Sequence, residues 1–144
     1  MHVSTSSDSL TMRWRQLKAE APRLRTKDVA DRLGVSEAEL VAASCDGAQT
    51  VRLNTDWAGQ FARLETLGRV MALTRNHAAV HEKHGVYRNV SFEGHAGLVL
   101  DENIDLRIFY GRWAAGFALP VEHPRGPLHS LQFFDKQGDA VHKI

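Results

Sequence analysis

An α+β fold, with short helices first and a large antiparallel β-sheet second, is what this sequence predicts. Two observations carry that expectation. Up to residue 67 apolar side chains recur at helical spacing between capping residues, and from Arg69 onward the pattern changes to short β-rich runs divided by turn signals. A chain of 144 residues, 43% of them hydrophobic, is the size of one ordinary core, so a single domain over 1–144 is expected.

Taken in order, residues 1–9 are Ser-rich and expected to be disordered, 10–67 mostly helical and 69–144 antiparallel sheet. From Ser9 to Ala21, Leu10, Trp14 and Leu17 fall at helical spacing, and Pro22 ends the helix. Thr26 reads as the N-cap of a helix over Lys27 to Leu33, closed by Gly34, because a hydroxyl can accept an orphan amide and glycine enters the left-handed region cheaply. Ser36 followed by Glu39 is a capping box for a third short helix ending at Ala43. After the turn at Asp46-Gly47, Thr50 to Asn54 fits a strand. Asp56 to Leu67 fits a helix with Trp57, Phe61, Leu64 and Leu67 along one stripe, closed by Gly68.

Strands are then expected at Val70–Thr74, Val86–Phe92, Gly97–Leu100, Ile104–Phe109, Phe117–Val121, Leu128–Phe134 and Ala140–Ile144, and tight connections favour an antiparallel meander. The segment Asn76 to His84 is compatible with helix or extended chain.

Composition removes several classes. The formal net charge of +1, from 18 basic and 17 acidic residues, gives no general attraction to nucleic acid or anionic membrane. Cys45 has no partner for an intrachain disulfide, so a reducing compartment is expected and the thiol is read as a small core residue. The start MHVSTSSDS lacks the basic and apolar regions of a secretory signal, and no apolar run approaches a bilayer span, so a cytoplasmic location without membrane insertion is expected. No G-x-S-x-G elbow and no phosphate-cradling glycine loop is present.

Three features remain. The stretch from Lys27 to Leu40 has the outline of a helix-turn-helix, but its last helix offers Glu37 and Glu39 and no base, which phosphates would repel. A helical hairpin packed on the sheet is the better reading, with DNA binding the alternative. His77, His81 and His84 are crowded into one segment, and His77 and His81 share a face on a helix or a strand. Neutral imidazole ligates zinc, copper and haem iron, but zinc lacks a thiolate set or an HExxH motif here. The plainer reading is solvated polar positions. Finally, if Ile104 to Tyr110 is a strand, Asp105, Arg107 and Phe109 share one face. That face suits a flat aromatic ligand with anionic groups, Phe109 stacking while Arg107 pairs with a carboxylate or caps an axial position. An Asp105–Arg107 surface pair is the competing explanation.

The run from Arg25 to Leu40, Leu67-Gly-Arg-Val-Met-Ala-Leu-Thr-Arg-Asn, Val80-His-Glu-Lys-His-Gly-Val-Tyr, Asn103-Ile-Asp-Leu-Arg-Ile-Phe and Ser130-Leu-Gln-Phe-Phe-Asp together resemble the HemS/ChuS-type haemin-degrading and haem-trafficking family, in its N-terminal half. Gly94-His-Ala-Gly-Leu-Val-Leu and Ala140-Val-His-Lys-Ile agree as well. The resemblance implies one half of a two-half fold, each half a large antiparallel sheet with flanking helices, and cytoplasmic haem (haemin) binding in bacterial iron acquisition. It implies Arg107 as a distal polar contact, Phe109 as a wall of the pocket, and His81, then His77, as candidate iron ligands if this half holds haem alone. His77 departs from the family, where an acidic residue would follow Thr-Arg-Asn. The family's principal axial histidine lies in the second half and has no counterpart here. Haem ring cleavage is therefore expected only of a full-length parent. The implied partners are haem, the C-terminal half or an identical copy forming a homodimer, and a haem oxygenase or haem transporter. A half-domain that only completes its partner is a further alternative.

Overall fold

The computed structural model describes residues 3–76 and 78–144, the side chains of residues 3–8 excepted. The N-terminal third forms α1 (Val3–Glu20), α2 (Thr26–Leu33) and α3 (Glu37–Ala43). Helix α1 starts at Val3, so the expectation of disorder up to residue 9 is corrected for its described part. Leu10, Trp14 and Leu17 pack with Leu24, Leu33 and Val35 around buried Val29, Ala30 and Leu40, which ties the three helices into one unit. Lys18 Nζ donates to the carbonyls of Pro22 (3.2 Å) and Leu24 (3.0 Å) and so clamps the α1–α2 turn.

The start of α2 differs from expectation by one residue. Arg25 occupies the cap position and Thr26 is already helical, because the Asp28 carboxylate accepts the Arg25 amide at 3.3 Å and its guanidinium at 2.9 Å. Gly34 closes α2 at φ 70°, where a side chain would be strained. The capping box of α3 forms as expected, with the Glu39 amide donating to Ser36 Oγ and the Ser36 amide to Glu39 Oε2, both at 3.1 Å.

Beyond β1 (Val51–Arg52), the Asp56 carboxylate caps α4 (Trp57–Ala62) by accepting the Gly59 amide at 3.1 Å. The expected twelve-residue helix is not continuous, since Leu64–Leu67 tighten into a 3₁₀ turn. Three residues per turn instead of 3.6 rotates Leu67 off the stripe, and it is 55% exposed while Trp57, Phe61 and Leu64 are buried.

Eight further strands follow: β2 (Arg69–Arg75), β3 (Val80–Val86), β4 (Ser91–Glu93), β5 (Ala96–Leu100), β6 (Asp105–Phe109), β7 (Trp113–Val121), β8 (Leu128–Asp135) and β9 (Ala140–Lys143). The ambiguous segment resolves into a hairpin. Asn76 Oδ1 accepts the amides of Ala78 and Ala79 at 2.8 and 2.9 Å, and Val80–Val86 is extended beside β2. The strand expected over Val86–Phe92 is broken. Asn89 takes φ 52° and donates its side-chain amide to the Leu100 carbonyl at 2.8 Å, which turns the chain from one sheet to another.

Two antiparallel sheets result, one ordered β1-β7-β8-β9-β2-β3 and a smaller one ordered β4-β5-β6. The large sheet is sandwiched. On one face Phe117, Phe134 and Ala140 pack against Val41 of α3. On the other, Ala72 and Phe133 pack against α4 and the inner face of the small sheet, through Val99, Ile104 and Ile108. The helix face carries a buried charge cluster. Glu37 is 4% exposed, accepts from Lys143 Nζ at 2.8 Å and pairs with Arg75. Glu37 thus points into the sheet, not toward solvent, and its carboxylate is neutralised by two strand cations. Cys45, expected in the core, is exposed just past the end of α3, where the chain leaves the packed face. Among the described residues no helix is long and apolar enough to cross a membrane.

Candidate functional site

The small sheet presents one face inward and one outward, and strand register decides which side chains share each. Leu98 pairs with Arg107, Ala96 with Phe109, and Leu100 with Asp105. Directly paired residues project to the same side, so Ala96, Leu98, Leu100, Arg107 and Phe109 share one surface with Asp105 of β6 and with Ser91 and Glu93 of β4. Leu106 and Ile108 take the opposite side and fill the core. The alternation expected for β6 is therefore observed. Phe109 is 59% and Leu100 47% exposed, an unusual outlay of large apolar side chains on a single sheet face.

Arg107 stands on this surface as its cation. Among the described residues it has neither an ion-pair partner nor a side-chain hydrogen bond, and the expected alternative, a pair with Asp105, does not form. An arginine fork not paired with the Asp105 carboxylate on its own face, and flanked by Leu98 and Phe109, can take the anionic edge of a planar ligand while the ring of Phe109 takes its face. Leu98 and Leu100 were missed as members of this surface. The signal was available in the alternation of Ala96-Gly-Leu-Val-Leu, but the register that sets them beside β6 was not.

The histidines lie elsewhere. His81 sits on β3, the edge strand of the large sheet, opposite Thr74, and is exposed together with Val80, Glu82, Lys83 and His84. No hydrogen bond or ion pair joins it to Arg107 or Phe109 among the described residues, so the structure does not bring these site residues together. His77 lies outside the described residues. Among the described residues no group of three His, Cys, Asp or Glu side chains is arranged to hold a metal ion.

A histidine not singled out from the sequence, His142, is held most firmly. It is 3% exposed on β9, with Nε2 2.7 Å from the Tyr87 hydroxyl and Nδ1 3.1 Å from Thr74 Oγ1. The rings of Phe61, Trp113 and Phe133 surround it. Burial among neutral groups pushes its pKa down to about 4 and that of Tyr87 up, so the pair is uncharged at neutral pH. Its partners are 68 and 55 residues away, too remote for spacing to announce.

Fold and face define the class: a sheet-on-sheet α+β domain backed by helices, whose small sheet presents Leu100, Phe109 and Arg107 outward, with Asp105 and Glu93 on the same face. The chain belongs to the family of haemin-degrading HemS/ChuX domains, which matches residues 34–144. It is 46% identical over 137 residues to the haemin transport protein HmuS of Yersinia pestis, covering 94% of this chain and 39% of that protein. The structure of holo-PhuS, a haem-binding protein from Pseudomonas aeruginosa, superposes with a TM-score of 0.88 at 49% identity, over 95% of this chain and 40% of that one. The haem-degrading enzyme ChuS of Escherichia coli O157:H7 gives 0.86 at 38% identity, over 95% and 41%. The chain thus spans about two-fifths of the length of these relatives, as the resemblance to one half of a longer protein implied. The α+β expectation, helices first and antiparallel sheet second, agrees with these neighbours.

Proposed function

We propose that this domain binds haem on the outer face of the β4-β5-β6 sheet, as part of a cytoplasmic haem-carrying or haem-degrading system for iron acquisition. The observation that carries the reading is Arg107, without an ion-pair partner among the described residues, beside half-buried Leu98 and the exposed Leu100 and Phe109. Haem is flat, apolar over its faces and anionic at one edge, and the surface matches each property. Phe109 would pack on the macrocycle, and Arg107 would pair with a propionate or reach a group bound at the iron. Bound haem would supply the iron and its ligand exchange, and this chain would supply orientation, an apolar wall and one positive charge. His81, which lies on β3 away from this surface, and then His77 stand as secondary ligand candidates. The other side of the haem would come from the second half of a longer polypeptide or from an identical copy, with a haem oxygenase or transporter as the exchange partner.

Haemin titration of the purified chain, followed at the Soret band, tests this. Saturable binding that weakens in Arg107→Ala and Phe109→Ala is expected, with His81→Ala and His77→Ala reporting whether either imidazole reaches iron. Non-saturable broadening, the same in all four variants and the parent, would assign the site to other chain segments.

A further inference from the structure

Four oxidisable side chains share the core between the two sheets. Tyr110 and Trp113 lie ring to ring at 5.3 Å, and Trp57 stands 5.7 Å from Trp113. Phe61 bridges the two tyrosines, its ring 5.7 Å from Tyr110 and 5.9 Å from Tyr87. Trp113 also stacks on His142 at 6.2 Å with 20° between the planes. Tyr110 directly follows Phe109, so this chain of rings begins beneath the outer face of the small sheet and ends at the buried Tyr87.

The protein has two tyrosines, and they differ in one respect. The buried hydroxyl of Tyr110 has no hydrogen-bond partner among the described residues, whereas that of Tyr87 lies 2.7 Å from Nε2 of His142. A phenol gives up an electron readily only if its proton leaves at the same time, since the oxidised phenol is a very strong acid and a buried charge without compensation is costly. Tyr87 has a base in place and Tyr110 has none. Among the described residues His142 has no ion-pair partner; Tyr87 and Thr74 reach its ring nitrogens, and the rings of Phe61, Trp113 and Phe133 lie around it. In the tautomer whose Nδ1–H donates to Thr74 Oγ1, Nε2 accepts from the Tyr87 hydroxyl and can take that proton.

We propose that Tyr87 and His142 are the terminus of a one-electron relay through Tyr110 and Trp113, which draws oxidising equivalents away from the outer face of the small sheet. A one-electron oxidant at that face takes an electron from the Tyr110–Trp113 pair and is reduced. The vacancy is filled by an electron from Tyr87, whose O–H bond breaks as the proton passes to Nε2 of His142. The products are a neutral tyrosyl radical and an imidazolium that donates to Thr74. The natural source of the oxidant, haem reacting with hydrogen peroxide, rests on the proposed haem face, but the relay itself does not.

The test uses the haem-free chain with photogenerated ruthenium(III) tris-bipyridine, persulfate as the final electron acceptor, and electron paramagnetic resonance of frozen samples. A tyrosyl signal is expected that weakens several-fold but remains in Tyr110→Phe, is weakened likewise in Trp113→Phe, and is lost in Tyr87→Phe and in His142→Phe, with circular dichroism confirming each fold. The parent protein alone gives a second readout, because the radical oxygen should show coupling to an exchangeable proton donated by His142. A signal that survives Tyr87→Phe, or one without that exchangeable coupling, overturns the relay. Haemin with peroxide should then raise the same signal. If ruthenium does so and haemin does not, the relay stands and the haem face is wrong.

Discussion

The two faces of the large sheet bury polar groups in opposite ways. Toward the helices, Glu37 lies between Arg75 and Lys143, a cluster of full charges. Toward the small sheet, Tyr87, His142 and Thr74 are joined without any charge, inside a shell of aromatic rings. The first arrangement fixes a short helix against a sheet by long-range attraction, and its parts are costly when separated. The second costs little at neutral pH and becomes costly only if the imidazole must take a proton. One face is thus sensitive to loss of a partner, the other to acid.

Breaking the charged side should have the largest effect. Glu37→Ala leaves two partly buried cations without a partner and is expected to destabilise the fold by about 3–5 kcal/mol, read by urea denaturation. Replacing Glu37, Arg75 and Lys143 together by methionine should recover most of that loss, since burying a complete ion cluster contributes little net stability.

The neutral side should answer to pH instead. The unfolded chain protonates this histidine near 6.5 and the folded one only near about 4. Between those values the unfolded state binds more protons, so stability should be flat above about pH 6.5 and fall by roughly 3 kcal/mol on going down to pH 4. His142→Phe should flatten that window, and thermal unfolding from pH 4 to 8 is the measurement.

A third change sharpens the contrast by leaving both faces intact. Arg107→Ala should cost haem affinity by about 1.5–3 kcal/mol in a Soret titration while leaving the melting temperature within experimental scatter. The smallest effect is expected at the α3 cap, where Ser36→Ala should remove about 1 kcal/mol of stability and nothing from haem binding.

Much of this contrast was hidden from the sequence, and for identifiable reasons. Local signals were sound: the Ser36–Glu39 box, the glycine stops and the alternation of Asp105 to Phe109 all depend on neighbours within a few residues, and all formed. Pairings between distant segments were not legible. Glu37 counted as a phosphate-repelling surface acid, yet its partners arrive from β2 and β9, 38 and 106 residues away. The split into two sheets turned on Asn89 entering the left-handed region, which spacing cannot announce in a run that reads as strand from Val86 to Phe92. Of the proposed site, Arg107 and Phe109 were within reach of strand periodicity, whereas Leu98 and Leu100 required the β5–β6 register. The separation of His81 from that surface required knowing which strands form the sheet edge.

Gly97 gives the small sheet a dimension as well as a shape. A methyl group there would sit 2.4 Å from the Tyr110 hydroxyl, so that ring rests directly on bare backbone. At this point the inner face of β5 is covered by the Tyr110 ring itself. A side chain at Gly97 would have to push the Tyr110 ring or β5 aside, and β5 is the strand against which β6, with Arg107 and Phe109, is paired, so the change would act on that surface as a wedge under a plank.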